Sequence, residues 1–399
     1  MRNAMTTEPD FSNITRFPGE TGNIFDVVLH RLELAERVPA LLFGGFLILL
    51  AALPTRLEWV YTLSLWGFMI LDWLLIALLP RMARSYGPAK PPVLILALLR
   101  MLFAFIPGPA GWILQAVGTL LVVVSFWIEP HRLTLTRQKL LSDKLPASVR
   151  LRVLHLGDLH IERITRRERE LQRQIDRLRP DLILFSGDVL NLSYIQDATA
   201  MEQARQVIRQ WKAPLGVYLV SGSPAVDLAE NMPKIVQGLP VHWLQKEKVT
   251  LQVSGGSHHS EGGQIDLLGL SCSHRPHIDG PLLAELLSST GREALPAPER
   301  FSILLYHTPD LAPVAARLGI DLQLSGHTHA GQVRIPGFGA LVTGSLYGKK
   351  FEAGRIRVGK MILYVTRGIG MEGAAAPRLR LFCPPEIILW EIQGTRVVS

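Results

Sequence analysis

The sequence predicts an α/β domain preceded by an all-α membrane segment of about four helices. The chain has 399 residues, of which 48% are hydrophobic and only 19% are charged. Since ordinary soluble domains carry about 25% charged residues, the apolar residues must be concentrated in one part of the chain. They crowd into the first third, whereas from residue 151 short leucine-rich or β-branched runs alternate with amphipathic stretches. This alternation is typical of strands and helices layered around a sheet.

Four apolar segments make up the predicted membrane region, residues 38–128. The segments at 59–79 and 110–128 approach the roughly 20 residues that a helix needs to cross a bilayer core. The segments at 38–53 and 93–106 are shorter and are bounded or interrupted by prolines. Each of these two could be a tilted span, a re-entrant piece or a buried helix. We interpret all four segments as membrane spans.

Basic residues are distributed unevenly between these segments. They lie before the first segment, between the second and third, and after the fourth, whereas the other two connections hold only Arg56. Because cytoplasmic connections carry the excess of Lys and Arg, we expect the N-terminal segment 1–37 and everything after residue 129 to be cytosolic. The sequence therefore predicts a multi-pass protein of the cell membrane whose main domain lies in the cytoplasm.

Charge within and around the spans limits the possible partners. Asp72 and Arg100 fall inside the predicted spans, where they could pair with each other; a transport pathway is the alternative, and it rests on these two residues alone. The net charge of +8 suits an anionic membrane surface or an anionic substrate. The arginines at 166–179 are interleaved with acidic residues and are typical of a solvated face, so we expect no nucleic acid partner.

The rest of the chain is predicted to form a linker, residues 129–150, and a domain, residues 151–399. Thr165 and Glu168 form a capping box that starts a helix. The stretch 254–263 is rich in Gly, Ser and His and predicts a flexible loop. The predicted buried strands are 151–156, 182–185, 217–220, 265–270, 303–305 and 322–324.

Side chains suited to metal binding follow four of these strands, at the point where each strand ends. In open α/β sheets ligands bind outside the carboxyl ends of the strands, so these side chains would converge on one cleft. Asp-x-His and His-x-His spacing places alternate side chains of an extended segment on one side. Carboxylates mixed with imidazoles suit one or two divalent ions of Mn, Fe, Zn or Ni, and are too rich in nitrogen for Ca or Mg. The candidate ligands are Asp158, His160, Asp188, His307, His327 and His329.

Residues beside these ligands have predicted supporting roles. Gly157, Gly187 and Gly326 would let the backbone turn tightly where a strand becomes a loop. His155 lies inside the first strand, and we expect it to be a hydrogen-bonded structural residue.

The ordered set of motifs resembles the calcineurin-like metallophosphoesterase family, and more narrowly its bacterial membrane-associated branch. The resemblance covers about residues 129–392 and implies a four-layer α/β/β/α sandwich with a two-metal centre. The motifs that carry it are Gly157-Asp158-Leu159-His160, Gly187-Asp188, His307 before Pro309-Asp310, Gly326-His327-Thr328-His329-Ala330-Gly331-Gln332 and Cys383-Pro384-Pro385-Glu386.

The resemblance also implies how the ligands are shared between two ions. One ion would take Asp158, His160, Asp188 and His329, and the second would take the bridging Asp188 with His307 and His327. Two such ions, about 3.5 to 4 Å apart, would hold a hydroxide and clamp the phosphoryl oxygens during in-line attack. No protein nucleophile is required.

The third motif departs from the family pattern, which is Gly-Asn-His followed by an acidic residue. In the family the Asn completes the second metal shell and the His protonates the leaving group, whereas this chain reads Gly222-Ser223-Pro224. A serine hydroxyl is a weaker ligand than an amide oxygen, and proline can neither bind a metal nor transfer a proton. Losing a general acid typically removes about 10² to 10⁴ in rate. The sequence therefore assigns no catalytic acid and no substrate-binding side chain.

The sequence favours a membrane-bound, metal-dependent phosphohydrolase that cleaves a phosphoester or pyrophosphate bond by metal-activated hydroxide attack. The membrane segment suggests a lipid-linked substrate. A leaving group that needs no proton, such as a nucleotide phosphate released from a pyrophosphate, would suit the altered motif. The alternative is a catalytically degenerate domain of the same fold that binds metal or a phosphorylated ligand and regulates a partner.

Overall fold

The computed structural model describes residues 11, 24–106, 108–255, 261–288 and 300–396. Much of the predicted N-terminal segment, and the middle of the predicted loop at 254–263, lie outside the described residues. The helices before the domain are α1 (Ile24–Glu33), α2 (Ala40–Thr55), α3 (Trp59–Ala77), α4 (Lys90–Ala104) and α5 (Pro109–Val122). Helix α5 continues through a π-helical stretch and a 3₁₀ turn as far as His131.

Two helices of the described chain are long and apolar enough to cross a membrane. They are Trp59–Ala77, with 19 residues, and the continuous helix Pro109–His131, with 23 residues. A third candidate exists only if Arg31–Arg37 and Ala40–Thr55, which meet at 114°, are counted as one broken span. Helix α4 has 15 residues, short of the roughly 20 that a span needs. The second and fourth predicted segments thus fit as spans, and four crossings are not clearly present.

The predicted pair of charges inside the helical segment is confirmed. Nε and one Nη atom of Arg100 lie 2.6 and 2.7 Å from the two carboxylate oxygens of Asp72, so the pair is bidentate. Arg100 also donates to the Gln115 side chain at 2.9 Å and to the Thr119 hydroxyl at 2.8 Å. Because these partners lie on three helices, α3, α4 and α5, the network ties the bundle together.

The domain after residue 131 contains two six-stranded sheets in the described residues. The first has the strand order β1-β14-β2-β3-β4-β5 and the second β12-β13-β9-β8-β7-β6. The strands are β1 (Thr134–Pro146), β2 (Arg150–Leu156), β3 (Leu182–Phe185), β4 (Val217–Leu219), β5 (His242–Trp243), β6 (Lys246–Val253), β7 (Gly263–Leu270), β8 (Phe301–Leu305), β9 (Leu322–Ser325), β10 (Arg334–Ile335), β11 (Gly339–Ala340), β12 (Gly354–Val358), β13 (Met361–Val365) and β14 (Glu386–Arg396).

Three buried cores give the domain its layers. Side chains such as Leu184, Ile303 and Trp390 pack between the two sheets. The outer face of the first sheet is covered by α6 and α7, and that of the second by α9 and α10. The order is therefore α/β/β/α, as the family resemblance implies. The helices of the domain are α6 (Arg166–Leu178), α7 (Ala198–Ile208), α8 (Met232–Val236), α9 (Pro276–Ser288) and α10 (Ala312–Arg317).

Two local predictions about the start of the domain have different outcomes. The capping box is confirmed, because the Thr165 side chain accepts from the backbone of α6 while Glu168 accepts from the Thr165 N–H. The predicted linker is not a linker: Thr134–Pro146 is an edge strand that pairs in parallel with β14. Its basic and other polar residues, among them Arg137 and Lys139, gave no strand pattern in the sequence.

Candidate metal centre

The six predicted ligands lie together at the carboxyl ends of four parallel strands. Asp158 and His160 follow β2, Asp188 follows β3, His307 follows β8, and the pair His327 and His329 follows β9. Strands β2 and β3 belong to the first sheet, and β8 and β9 to the second. The site therefore lies where the two sheets face each other, and each sheet supplies side chains to it.

Most of these residues adopt a backbone conformation that L-amino acids rarely use. The φ angles are +51° at Asp158, +44° at His160, +62° at Asp188, +71° at His327 and +49° at His329. Left-handed backbone outside glycine costs free energy and clusters at functional sites, where the surrounding structure enforces it. The strand ends thus turn sharply, and the turns aim the side chains inward.

The glycines next to the ligands act differently from the prediction. Only Gly187 has a positive φ, of +99°, and serves a tight turn. At Gly157 a Cβ would collide with the Ser186 hydroxyl, and at Gly326 with the Asp158 carboxylate. These two positions need glycine because neighbouring groups approach the backbone closely, and not because the chain turns there.

One group of side chains consists of Asp158, His160 and His329, which we call cluster 1. Nε2 of His160 and Nε2 of His329 lie only 2.9 Å apart, and His329 Nε2 is 3.6 Å from a carboxylate oxygen of Asp158. Nδ1 of His160 lies 3.2 Å from the Leu190 carbonyl oxygen. Because that oxygen can only accept, it holds the proton on Nδ1 of the neutral ring and leaves a lone pair on Nε2 facing the cluster.

Asp188 stands in the middle of the site. Its Oδ2 is 3.5 Å from His160 Nε2 on one side and 3.3 Å from His307 Nε2 on the other. Nδ1 of His307 faces the Ser186 carbonyl oxygen at 2.8 Å, so a neutral His307 also turns a lone pair towards Asp188. Acceptors that face one another in a buried site repel unless a proton or a cation lies between them. The donor set therefore fits divalent metal ions, with Asp188 in reach of both sides.

Burial and neighbouring charges shift the pKa values of the carboxylates and imidazoles of the site in different directions. Burial raises the pKa of Asp158 to about 6. Burial also opposes the charge on Asp188, but the imidazoles of His307 and His160 outweigh it and lower the pKa of that carboxylate. For His307, burial is outweighed by Asp188, which raises the imidazole pKa to about 9. Burial lowers the pKa of His327 to about 3. His327 is thus kept neutral, the form that binds metal, whereas His307 must lose a proton before it can bind.

The altered third motif lies against the same cluster. The hydroxyl of Ser223 is 3.2 Å from Asp188 Oδ2 and 3.1 Å from His307 Nε2, and the Ser223 N–H donates to Asp188 Oδ1 at 2.6 Å. Pro224 is exposed. Asp227 accepts backbone N–H groups from Gly222 and Asp188 at 2.7 and 2.8 Å and so holds the loop in place. Ser223 therefore faces the site, and Pro224 supplies nothing to it.

Sequence reasoning missed a seventh residue of this site. His274 follows β7 after a three-residue turn, is buried, and has a φ of +63°. Its ring is 4.6 Å from the His327 ring and 6.0 Å from the His307 ring, centre to centre. The three imidazoles can each direct one nitrogen to a common point, and we call them cluster 2. The signal was available, because His274 comes soon after the predicted strand 265–270, but Ser271, Cys272 and Ser273 separate it from that strand.

The structural role predicted for His155 is supported, because its Nε2 is hydrogen-bonded to the Ser186 hydroxyl at 3.1 Å. Burial lowers the pKa of this imidazole to about 3. The ring lies inside β2 and belongs to neither cluster.

A buried arginine connects cluster 1 to the helical segment, and the sequence gave no sign of it. One Nη of Arg380 lies 3.4 Å from His329 Nδ1 and donates to the Arg367 carbonyl oxygen at 2.8 Å. The Arg380 N–H donates to the Ser125 carbonyl oxygen of the last span at 2.9 Å. Glu129, at the end of that helix, accepts the N–H groups of Phe382 and Cys383. Arg380 thus contacts both the end of the last candidate membrane helix and the candidate ligand His329.

The α/β/β/α fold and the clustered carboxylates and imidazoles, which could hold metal ions, are consistent with what comparison with known proteins finds. Residues 151–331 match the family described as calcineurin-like phosphoesterase. The match covers the domain and not the helical segment before it, so the similarity to this family is a property of the domain. Members of the family are generally hydrolases that bind divalent metal ions.

Three similar proteins illustrate the range of relatives. The chain is 28% identical over 277 residues to an uncharacterized metallophosphoesterase, YkuE, of Bacillus subtilis. This alignment covers 67% of this chain and 88% of the relative. It is 24% identical over 338 residues to the UDP-2,3-diacylglucosamine pyrophosphatase LpxG of Chlamydia muridarum, covering 72% and 98%. A transmembrane protein with metallophosphoesterase domain from Bos taurus is 29% identical over 231 residues, covering 54% and 49%.

Proposed function

We propose that this protein is a membrane-bound, metal-dependent phosphohydrolase. The observation that carries the proposal is the centre itself, in which ring nitrogens and carboxylate oxygens face one another at 2.9 to 3.6 Å. Asp158, His160, Asp188 and His329 would hold one ion, and Asp188, His307 and His327 the other. When bound, two such ions activate water and neutralise the oxygens of a phosphoryl group.

The surrounding residues prepare this centre for that task. The carbonyl groups of Leu190 and Ser186 hold His160 and His307 in the tautomer that presents Nε2 to an ion. Ser223 donates its N–H and its hydroxyl to Asp188 and so orients the carboxylate between the two sides. Positioning of this kind, built into rigid strand ends, is what lowers the barrier for in-line displacement.

The altered third motif limits the substrate. Because Pro224 replaces the family's proton donor, the enzyme would act best on substrates whose leaving group departs as a stable anion. A phosphoanhydride meets this requirement, since its leaving group is a phosphate. The name of the relative LpxG describes a pyrophosphatase whose substrate carries two acyl groups. We therefore propose a pyrophosphate-linked lipid as the substrate class.

The placement of the domain supports a substrate held in the membrane. Glu129 and Ser125 join the end of the last span directly to the segment around Arg380, which contacts His329. A lipid headgroup at the cytosolic membrane surface would then have only a short distance to travel. The excess of basic residues in the connections supports a cytosolic position for this surface.

The decisive experiment for activity uses the full chain loaded with Mn²⁺, Zn²⁺ or Fe²⁺. Hydrolysis is measured on aryl phosphodiesters, nucleotide sugars, lipid pyrophosphates and simple alkyl phosphates. We expect turnover of the activated and pyrophosphate substrates and almost none of the alkyl phosphates. His329→Ala is the control for metal dependence, and His277→Ala, an exposed histidine, is the matched control for loss of an imidazole.

The regulatory-module alternative makes the opposite prediction. If the metal-loaded protein is inert on every substrate, and the double change Ser223→Asn with Pro224→His creates activity, the hydrolase proposal is wrong and the degenerate domain is favoured.

Membrane orientation is tested separately with reporters fused after residue 30 and after residue 145. Both fusions are expected to report the cytosol, because basic residues flank both points. A reporter on the far side after residue 145 would mean an odd number of spans.

A further inference from the structure

We infer that His274 is a ligand of the second metal ion and takes the place of the amide that the third motif has lost. The inference rests on the metal centre of the proposed function and adds to it a residue outside the family's ligand set. In that set the second ion would have Asp188, His307 and His327, and the position of the family's Asn is occupied by Ser223. The imidazole of His274 supplies the nitrogen that restores a full set of ligands.

Geometry is the first support for this inference. His274, His307 and His327 each offer one ring nitrogen, and the three atoms lie within 4.8 Å of one another. The His274 and His327 rings meet at 83°, with centres 4.6 Å apart, so they do not stack and their edges can converge. His327 Nε2 is buried and has no hydrogen-bond partner, as expected of a nitrogen that awaits a metal.

The backbone at His274 has the same conformation as that of several predicted ligands, and hydrogen bonds hold its neighbours in place. Its φ of +63° repeats the left-handed conformation of Asp158, Asp188 and His327. Asp279 in α9 accepts the N–H and the hydroxyl of Ser273 at 2.9 and 2.8 Å. The same carboxylate accepts the hydroxyl of Tyr306, which directly precedes His307. One buried carboxylate therefore positions the segments that carry two imidazoles of cluster 2.

An imidazole from His274 is a chemically suitable replacement for the amide ligand that the third motif has lost. A neutral imidazole is a stronger ligand for Zn, Fe or Mn than a serine hydroxyl, so His274 compensates for Ser223. It also changes the character of the second site, which would hold three imidazoles and one carboxylate. Such a site favours borderline metals such as Zn over the harder Mn.

Metal content tests the inference without any assay of activity. Full-length protein, His274→Ala, His274→Gln and the control His277→Ala are equilibrated with Zn²⁺, and bound metal is measured by elemental analysis after removal of free ion. We expect two ions per chain in the wild type and in His277→Ala, and one in His274→Ala. His274→Gln conserves volume and carries an amide, so it should regain part of the second ion. Thermal unfolding in the presence of a chelator checks that each variant is folded.

The outcomes separate this inference from the proposed function. If the wild type binds no metal, the proposed function fails and the inference fails with it. If the wild type and His274→Ala both hold two ions with the same affinity, only the inference is overturned. Visible absorption of Co²⁺ bound in place of Zn²⁺ gives a second readout. Removal of an imidazole ligand shifts the bands of an ion that stays bound, and loss of the ion removes its bands.

A second inference rests on an independent observation, an exposed apolar surface beside the centre. We propose that this surface contacts the bilayer in which the chain's own helices lie. Among the described residues after residue 131, seven large apolar side chains are exposed, and five of them belong to this surface. Its members, with their exposed fractions, are Ile335 (46%), Phe338 (58%), Leu341 (55%), Val342 (69%) and Phe382 (56%). We call it the hairpin surface.

The hairpin surface is continuous with the membrane helix on one side. The β10–β11 hairpin pairs with the segment before Phe382, since the Arg334 N–H donates to the Leu381 carbonyl oxygen at 2.9 Å. The N–H of Phe382 in turn donates to Glu129 at the end of the last span, at 3.0 Å. Lys349 lies 3.4 Å from the centre of the Phe338 ring, which places a cation among the apolar groups. Apolar side chains edged by cations suit the headgroup region of an anionic bilayer.

On its other side the hairpin surface reaches the metal centre. Gly344, two residues after Val342, lies so close to His327 that a Cβ there would be 3.1 Å from His327 Nε2. Gly331, two residues after His329, packs against the Val342 carbonyl group. The hairpin would thus bring lipid headgroups to the edge of cluster 2.

Spin labels test this contact directly in the full chain. Single cysteines replace Val342, Phe338, Leu141 and Leu74, and the protein is reconstituted in vesicles of phosphatidylethanolamine and phosphatidylglycerol. Both native cysteines are buried, so the label reacts at the introduced site. We expect Val342 and Phe338 labels to collide readily with oxygen and rarely with a water-soluble nickel chelate. Leu141 is the matched control, because it is apolar and 68% exposed but lies outside the hairpin surface.

The label at Leu74, in the span α3, tests the membrane placement on which this inference depends. If Leu74 is in lipid while the Val342 and Phe338 labels are as accessible to nickel as Leu141, the hairpin contact is overturned and the membrane placement stands. If Leu74 is also in water, both are wrong.

Discussion

Cluster 1 and cluster 2 occupy the same centre but are built in different ways. Cluster 1 is assembled from motif residues, and its atoms are already close, with His160 and His329 nitrogens 2.9 Å apart. Cluster 2 includes His274, which no motif contains, and its three ring nitrogens lie within 4.8 Å of one another. The loop that would complete cluster 2 in the family has changed to Ser223 and Pro224. With His274 as the ligand that we propose, the second site keeps its number of ligands because one ligand has moved to another strand.

The largest effect is expected where the two clusters meet. Asp188 lies within 3.5 Å of imidazoles on both sides, so Asp188→Ala removes a shared oxygen ligand and leaves His160 and His307 without their counter-charge. We expect both ions to be lost, with affinities lowered by well over about 100-fold, because even outer-shell changes cost about 10- to 100-fold. Elemental analysis after dialysis measures this. Retention of either ion at full affinity would show that Asp188 serves only one cluster.

A pair of single substitutions separates the clusters. His329→Ala removes a ligand of cluster 1 and His327→Ala a ligand of cluster 2, although the two residues are separated only by Thr328. Each variant is expected to lose about one ion per chain and to keep the other, as measured by calorimetric titration with Zn²⁺. If either substitution empties both sites, the clusters are coupled too strongly to be treated as separate.

Acid should weaken metal binding at the whole centre gradually, with a smaller effect per pH unit than the loss of Asp188. Metal can bind only after protons leave Asp158, whose pKa burial raises to about 6, and His307, whose pKa Asp188 raises to about 9. Affinity therefore falls as the pH is lowered: about tenfold per pH unit between about pH 9 and 6, and more steeply below pH 6, where both groups hold protons. Titrations from about pH 8 to 5 give this slope. An affinity independent of pH would contradict the assignment of these two ligands.

The smallest effect is expected at Ser223. Its hydroxyl contacts Asp188 and His307 at 3.2 and 3.1 Å, but with His274 present it is not needed as a ligand. Ser223→Ala should lower the affinity for the second ion by less than about tenfold, corresponding to about 1 kcal/mol for one hydrogen bond. The double variant Ser223→Ala with His274→Ala should lose more binding free energy for the second ion than the sum of the losses in the two single variants. A large effect of Ser223→Ala alone would identify the hydroxyl as the main ligand.

Sequence reasoning succeeded where a pattern is local and failed where contacts are distant. Asp158, His160 and the other four predicted ligands lie within four residues of the ends of recognisable strands and within recognisable motifs, so their convergence followed from the rule for parallel sheets. His274 is as close to the end of its strand as His160, but it was missed because it belongs to no motif and has no second ligand two residues away. Arg380 was missed because its role depends on contacts with Ser125 and His329, which are far apart in the chain.

The fold shows the same division. Six of the strands from residue 151 onward, β2, β3, β4, β7, β8 and β9, were predicted from apolar runs, and the layer order came with the family resemblance. Strand β1 was taken for a linker because an edge strand is buried on few sides and keeps polar residues such as Arg137 and Lys139. The membrane helices were recognised from hydropathy, but hydropathy cannot tell whether the short helix α4 crosses a bilayer or packs within the bundle.

The edge position of β1 affects whether proteolysis could separate this domain from its helical segment. Only Arg132 and Leu133 separate the last turn of the membrane helix from a strand that pairs with β14 over ten residue pairs. A protease therefore finds almost no accessible chain between anchor and sheet, and a cut further on would strip β14 of its outer neighbour. Cleavage at this junction would therefore not release the domain with its first sheet intact. In a protein anchored as we propose, the chemistry would stay at the membrane surface.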